Sequence, residues 1–492
     1  MIAAYRGIVA PRSVVVSPVL TLAYETNGVD ARGQPRAHLL DRTRPPATES
    51  AYPRGGHQGE AMSSRRSRTA HAAVVVGFVA VAAAGVGTPA HSAAATCAGV
   101  AATIVGTTGD DVLTGTPGDD VIAALDGNDV IDGGAGNDVV CADAGSDHLT
   151  GGDGNDRLYG GDNGLVPRTE DVPEAYGDTL VPGPGDDLVD VGVNTLLRTG
   201  GDTSWDTIDF GESETGVAVD LVSGVATGEG NDTVVVAQPL PAPGVIVYVI
   251  GTTHADHVLG TEGSDVIIGN GGGDRLEGRS GDDSLTNSRD AYEYDPARNG
   301  TDDDHFDGGA GDDHLESNGG ADVLLGGDGR DYLRKVAGVS TLDAGAGRDE
   351  VHVYLTEGRH RLSGGAGRDT VFLNLHRAGR SVRGVMDHAR ERFVVRRAQR
   401  PPVRARVVGV ERVQMPYDSG RWTYLGTPGD DHVEGMSAYT AKGRGGGDVL
   451  LGSYLDDVLL GGPGRDRIRG RRGADRCSGE DLRGCEVVRR AS

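Results

Sequence analysis

A nine-residue period constrains this chain more than any other feature. Read from Gly106, the frames GTTGDDVLT, GTPGDDVIA, ALDGNDVID, GGAGNDVVC, ADAGSDHLT and GGDGNDRLY follow one another to Tyr159 without a slipped residue. Position four is glycine from Gly109 to Gly154. Position six is aspartate (Asp111, Asp120, Asp129, Asp138, Asp147, Asp156), and position eight is aliphatic (Leu113, Ile122, Ile131, Val140, Leu149, Leu158). Six positions rich in Gly, Asn and Asp predict a turn that needs positive φ and close backbone approach. Three positions centred on one aliphatic residue predict a minimal strand whose middle side chain points inward. Two units complete one coil with a turn on each side, so units i and i+2 stack. Asp111 is then expected beside Asp129 and Asp147, and Asp120 beside Asp138 and Asp156.

The register returns along the chain. Residues 251–286 hold units with Asp256, Asp265, Asp274 and Asp283, the first with His254 where glycine belongs. Residues 299–334 carry Asp304, Asp313, Asp322 and Asp331. Single units at 182–190, 227–235, 344–352 and 364–372 carry Asp187, Asp232, Asp349 and Asp369. The last block, 426–434 and 443–478, carries Asp431, Asp448, Asp457, Asp466 and Asp475. Glycine supplies 81 of 492 residues without a Gly-X-Y period, which excludes collagen. Aromatics at 4% exclude a large ring-packed core. Acids outnumber bases 73 to 47, so nucleic acid and anionic lipid are poor partners and a cation is a good one.

These units resemble the hemolysin-type calcium-binding repeats of the RTX family, with consensus G-G-x-G-x-D-x-U-x. The resemblance implies an all-β fold: a parallel β-roll or β-solenoid of nonapeptide repeats, in several blocks with β-rich inserts. It also implies calcium held in the turns between stacked coils. The expected metal ligands are Asp111, Asp120, Asp129, Asp138, Asp147 and Asp156 in the first block, with Asp265, Asp274 and Asp283 in the second. Asp304, Asp313, Asp322 and Asp331 follow in the third, and Asp448, Asp457, Asp466 and Asp475 in the last.

Elementary electrostatics agrees. Stacked strands lie ~4.8 Å apart. Two carboxylates at about 5 Å repel by roughly 3 kcal/mol at an effective dielectric of about 20. One buried Leu or Val per unit contributes only about 1.5–3 kcal/mol. Calcium, which takes six to eight oxygens in flexible geometry, reverses the sign, whereas magnesium wants an octahedron and keeps its waters. Zinc and copper would want His or Cys clusters, which the pattern lacks. The competing explanation is that Asp and Gly serve only as turn formers in a metal-free solenoid. With calcium as the ligand, the metal-free chain is expected to be largely disordered and to fold on binding.

The rest of the chain divides around the repeats. Residues 1–61 read as a leader outside the fold. Residues 62–95 have the layout of a secretory signal peptide, with Arg65, Arg66 and Arg68 before an apolar run of thirteen from Ala72 to Ala84. That run is too short for a membrane span. Cleavage after Ala95 would remove ten Arg and five acids and raise the acidic excess from 26 to 31. The expected units are block 1 at 96–163, a β-rich insert at 164–250 and block 2 at 251–286. Block 3 with isolated repeats follows at 287–375, a basic β-rich insert at 376–425, and block 4 with a cap at 426–492.

Residues 160–181 and 287–298 read as surface loops, and Val217 to Leu221 as a strand continuing the stack. Residues 376–421 hold twelve Arg and four acids. The valines there predict strands with arginines facing out, serving either as an internal counter-charge or as a docking patch for an anionic cell-wall polymer. Four cysteines in an exported chain allow disulfides. Of three possible pairings, chain order favours Cys97–Cys141 and Cys477–Cys485, one at each end of the array. No H-E-x-x-H or G-x-S-x-G motif occurs and no free stretch could house a catalytic domain. A secreted, non-enzymatic calcium-binding module of structural, surface or adhesive role is therefore expected. A carbohydrate lyase or epimerase on a solenoid face is the alternative.

Overall fold

A computed structural model describes residues 94–163, 177–192, 205–236, 246–288, 302–356, 358–375, 382–417, 420–485 and 487–488. The leader, all but the last two residues of the signal segment, the Pro-rich stretch 239–243 and most of the loop 287–298 lie outside these residues.

Each repeat folds as its pattern requires, a turn followed by a three-residue strand. Val112–Thr114 pairs in parallel with Val130–Ala135, which pairs with His148–Asp153. On the other face Val121–Ala123, Val139–Cys141 and Arg157–Tyr159 form the matching ladder. Consecutive units thus alternate between two parallel sheets, and residues eighteen apart sit on top of one another. The structure is the all-β parallel β-roll that the repeats imply. Alternate strands of the first sheet continue in the same register as far as Asp481–Arg483.

The core is a single column of position-eight side chains enclosed by the two sheets. Ile122, Ile131, Val140, Leu149 and Leu158 are fully buried and belong to one cluster that runs on to Cys477. In the first block one apolar side chain per unit leaves no room for a second layer, whereas Val351, Val353 and Leu355 of one later strand are all buried. Polar side chains at the turns must therefore carry much of the fold's specificity.

Two inserts splice antiparallel strands into the second sheet by one rule. Ala218–Asp220, Val225–Thr227 and Asn231–Val235 form a meander whose last strand pairs in parallel with Leu188–Asp190 and whose first pairs with His257–Leu259. Val382–Asp387, Arg392–Arg397 and Val403–Val408 repeat the arrangement between Gly358–Ser363 and Arg421–Leu425. The strand expected around Val217 to Leu221 does continue the stack, through an antiparallel neighbour.

One loop assignment is corrected. Thr179–Val181, inside the stretch read as surface loop, is a strand pairing with His148–Asp153 and Trp205–Asp209. Asp178 and Leu180 fill positions six and eight of a unit that lacks the position-four glycine, so the motif was invisible while the strand survived. The disulfides are Cys97–Cys141 and Cys477–Cys485, and neither cysteine pair leaves a free thiol. Cys97 anchors the short antiparallel pair Thr96–Cys97 and Val100–Ala101 near the first coils.

Candidate metal centre

The position-six aspartates face inward. Asp129, Asp138, Asp147 and Asp156 are at most 3% exposed. Each lends one oxygen to the coil before it. The amide of Asp120 donates to Oδ1 of Asp138 at 2.7 Å, and the amide of Asp138 to Oδ1 of Asp156 at 2.8 Å. On the opposite edge the amide of Asp111 donates to Asp129 and that of Asp129 to Asp147, both at 2.7 Å. The same bond links Asp265 to Asp283, Asp283 to Asp313 and Asp313 to Asp331. It joins Asp274 to Asp304 and Asp304 to Asp322, then Asp448 to Asp466 and Asp457 to Asp475. Half of each carboxylate is therefore a backbone acceptor, which like-charge repulsion alone did not reveal.

The second oxygen divides the aspartates into classes, and position two of the unit decides which. Where that position is Thr or Ser, its amide closes onto Oδ2: Thr107 to Asp111, Thr116 to Asp120, Thr261 to Asp265 and Ser453 to Asp457, all at 2.5–2.6 Å. Elsewhere that position adopts positive φ whatever the residue, as at Gly134 (101°), Gly152 (105°), Leu125 (81°) and Asp143 (71°), and its amide does not close the loop. Oδ2 then lies buried with no hydrogen-bond partner within the protein at Asp129, Asp138, Asp147 and Asp156. Asp274, Asp283, Asp313, Asp331, Asp448 and Asp466 share this state. Asp304 and Asp322 fit neither class. Asn287 donates to Oδ2 of Asp304 at 3.1 Å, and Lys335 forms an ion pair with Oδ2 of Asp322.

Buried oxygens without a donor are costly. Burial, with neighbouring carboxylates adding to it, pushes Asp147 up to about 7, Asp274 and Asp283 to about 8, and Asp156 to about 6. Asp120 moves the other way, because the backbone amide and hydroxyl of Thr116 hold it below the usual carboxylate range.

The orphaned oxygens open onto a cradle that a side chain would fill. A methyl built on Gly133 would lie 2.8 Å from Oδ2 of Asp138 and 2.6 Å from the carbonyl oxygen of Gly151 in the next coil. The arrangement recurs at Gly308, which faces Oδ2 of Asp313 and the Gly326 carbonyl. Where position one is glycine, a carboxylate and a carbonyl converge on its open face. Among the described residues no three His, Cys, Asp or Glu side chains gather into a cage. The convergent donors are one carboxylate oxygen with backbone carbonyls, an all-oxygen set that suits a hard cation of flexible coordination.

Several participants carry no consensus signal. Asp178 accepts the amide of Asp147. Glu411 and Glu480 stand in for aspartate, accepting the amides of Asp369 and Asp466. Position five forms a second, outer ladder running the opposite way. The amides of Asn128 and Asn137 donate back to Asp110 and Asp119, and those of Ser146 and Asn155 to Asn128 and Asn137. The recurrence of Asp, Asn and Ser at position five was the available sign of it.

Comparison with protein families agrees with this geometry. Residues 105–140, 142–163, 250–285, 299–333 and 451–481 match the RTX calcium-binding nonapeptide repeat. No curated protein matches the chain. Asp187, Asp232, Asp349, Asp369, Asp431 and Asp448 lie outside the matched segments, yet each accepts a backbone amide or donates its own in the same ladder.

Proposed function

From the premise that the repeats of this chain are RTX calcium-binding nonapeptides, we propose a secreted, non-enzymatic protein that orders on binding several calcium ions and serves as an extracellular structural or adhesive module. The observation carrying the reading is the row of buried Oδ2 atoms without a donor, several of which, as at Asp138, Asp156 and Asp313, face a position-one glycine and a carbonyl oxygen of the next coil. Asp129, Asp138, Asp147 and Asp156 would hold the ion through Oδ2 in the first block. Asp274, Asp283, Asp313, Asp331, Asp448 and Asp466 would do so in the later blocks. Bound calcium supplies the positive charge that these carboxylates lack. The protein's own contribution is to hold Oδ1 on a backbone amide, so that the folded coil aims Oδ2 at the ion.

Export fits the same reading, because extracellular calcium is plentiful and two disulfides suit an oxidising compartment. The signal layout of residues 62–95 supports it. Calorimetric titration of the full chain tests the proposal. Several calcium equivalents with heat tied to folding are expected, and the absence of any calcium-dependent heat would overturn it.

A second reading rests on the basic insert. Arg359 and Arg361 stand exposed beside Arg404 and Arg406 on the neighbouring strand. Arg392 and Arg396 follow on the next strand, and then Arg383 and Arg421, all exposed. A continuous arginine face on an otherwise acidic molecule suits an anionic cell-wall polymer. Arg406 pairs with Glu391 at its rim. Calcium-loaded protein should lose polymer pull-down when Arg383, Arg404 and Arg421 are changed to Ser. Retention by that variant excludes this face as the contact.

A further inference from the structure

Lys335, one of only two lysines in the chain, is fully buried. It occupies position one of the unit 335–343, KVAGVSTLD, where other units place Gly, Ala, Ser or Asn, and position six of that unit is Ser340. Its ammonium pairs with Oδ2 of Asp322 and donates to the carbonyl oxygen of Gly319. Ser340 sits in register with Asp322, so the chain has removed a carboxylate and added a cation at one place on one edge. The next rung also lacks a carboxylate, since the amide of Ser340 meets Nδ1 of His360 at 3.2 Å.

Other side-chain donors also reach backbone carbonyls where the aspartate ladder breaks. Val217 stands ahead of Asp256, and Asn270 from the following coil donates to the Gly251 carbonyl at 2.7 Å. Val247 is in register with Asp265, and Arg279 donates to the Gly260 carbonyl at 2.5 Å. Glu411 precedes Arg412, which is in register with His432, and Arg444 donates to the Gly426 carbonyl at 2.8 Å. At these three places a position-two side chain reaches a position-one carbonyl next to a rung without aspartate, whereas Lys335 acts from position one. The first block has aspartate at position six of every unit.

We propose that Lys335 is a built-in cation that takes the place of calcium at the Asp322 rung, so that the coils around it stay ordered without metal. The inference rests on the calcium-binding reading of the other rungs. The roll then contains two kinds of rung: those left for metal, typified by residues 106–159 and including Asp313 and Asp331, and those closed by the chain's own donors, centred on Asp304, Asp322 and Ser340. The second kind forms a folded nucleus from which calcium-dependent order spreads.

Backbone hydrogen exchange of the full wild-type chain in chelator tests this without any variant. Slow exchange is expected in peptides covering 302–343 and fast exchange in those covering 106–159, the difference vanishing when calcium is added. Uniform exchange along both segments in chelator overturns the proposal, even if calcium binds elsewhere. Lys335→Met should abolish the slow exchange at 302–343 while leaving calcium uptake by 106–159 intact. The double change Lys335→Gly with Ser340→Asp restores the repeat and should raise calcium stoichiometry while removing the chelator-resistant protection. Unchanged stoichiometry together with unchanged protection in that variant contradicts the assignment. Absence of calcium binding in wild type defeats the parent reading instead, and is read separately by calorimetry.

Discussion

The amide of Asp120 donates to Oδ1 of Asp138, 2.7 Å away and eighteen residues further along the chain. That bond ties a coil to the next through the residue that also faces the candidate metal position. Its two oxygens can be separated by substitution. Asp138→Asn keeps an acceptor for the amide and removes the charge, so it should lower calcium affinity at that rung with little further change in chelator. Asp138→Ala also strands the buried amide, which costs about 1–3 kcal/mol. Thermal melts of both variants, with calcium and with chelator, distinguish the two contributions.

Gly133→Ala should weaken calcium binding in the first block, since the added methyl would occupy the space 2.8 Å from Oδ2 of Asp138 and 2.6 Å from the Gly151 carbonyl. Gly109→Ala is the matched control, because nothing lies within 4 Å of a methyl there. Calcium titration of the two variants should show a loss for the first and wild-type behaviour for the second.

Acid should partly replace calcium. In the metal-free fold Asp147, Asp178, Asp274 and Asp283 are raised to between about 7 and about 9, chiefly by burial. An unfolded aspartate titrates near ~3.9. The folded state therefore binds more protons across this window, and its stability falls as pH rises. Metal-free protein is expected to gain β-structure as pH drops from about 9 towards about 4, while apparent calcium affinity rises over the same interval read upwards. Circular dichroism in chelator against pH measures the first trend, and calorimetry at several pH values the second.

Reduction should loosen the ends of the roll unequally. The chain-entropy relation gives about 4 kcal/mol for Cys97–Cys141 and about 2.5 kcal/mol for Cys477–Cys485, whose separations are 44 and 8 residues. Reduced, calcium-loaded protein should melt at lower temperature. Cys97→Ser paired with Cys141→Ser should account for most of the shift.

Much of this was legible in the sequence. The eighteen-residue coil, the neighbours Asp111–Asp129–Asp147 and both disulfides follow from the period and chain order, because unbroken repeats fix register. Legibility failed where register crosses an irregular loop. Asp178 is 31 residues beyond the amide it accepts, and Asp232 is 45 residues beyond that of Asp187, so no fixed spacing points to either. The two classes of Oδ2 depend on whether the amide at position two closes onto it, as at Thr116, or the residue there is left-handed, as at Gly134 and Leu125. That distinction shows only when the turn is built. Lys335 carries no repeat signal in the sequence, and only stacking places it opposite Asp322.

Circular dichroism of the full chain, titrated from chelator into calcium at pH 8, tests the central claim most directly. The account predicts a weak strand signal that grows with calcium and saturates together with the binding heat. An equally β-rich spectrum in chelator, with an unchanged melting temperature, would contradict it.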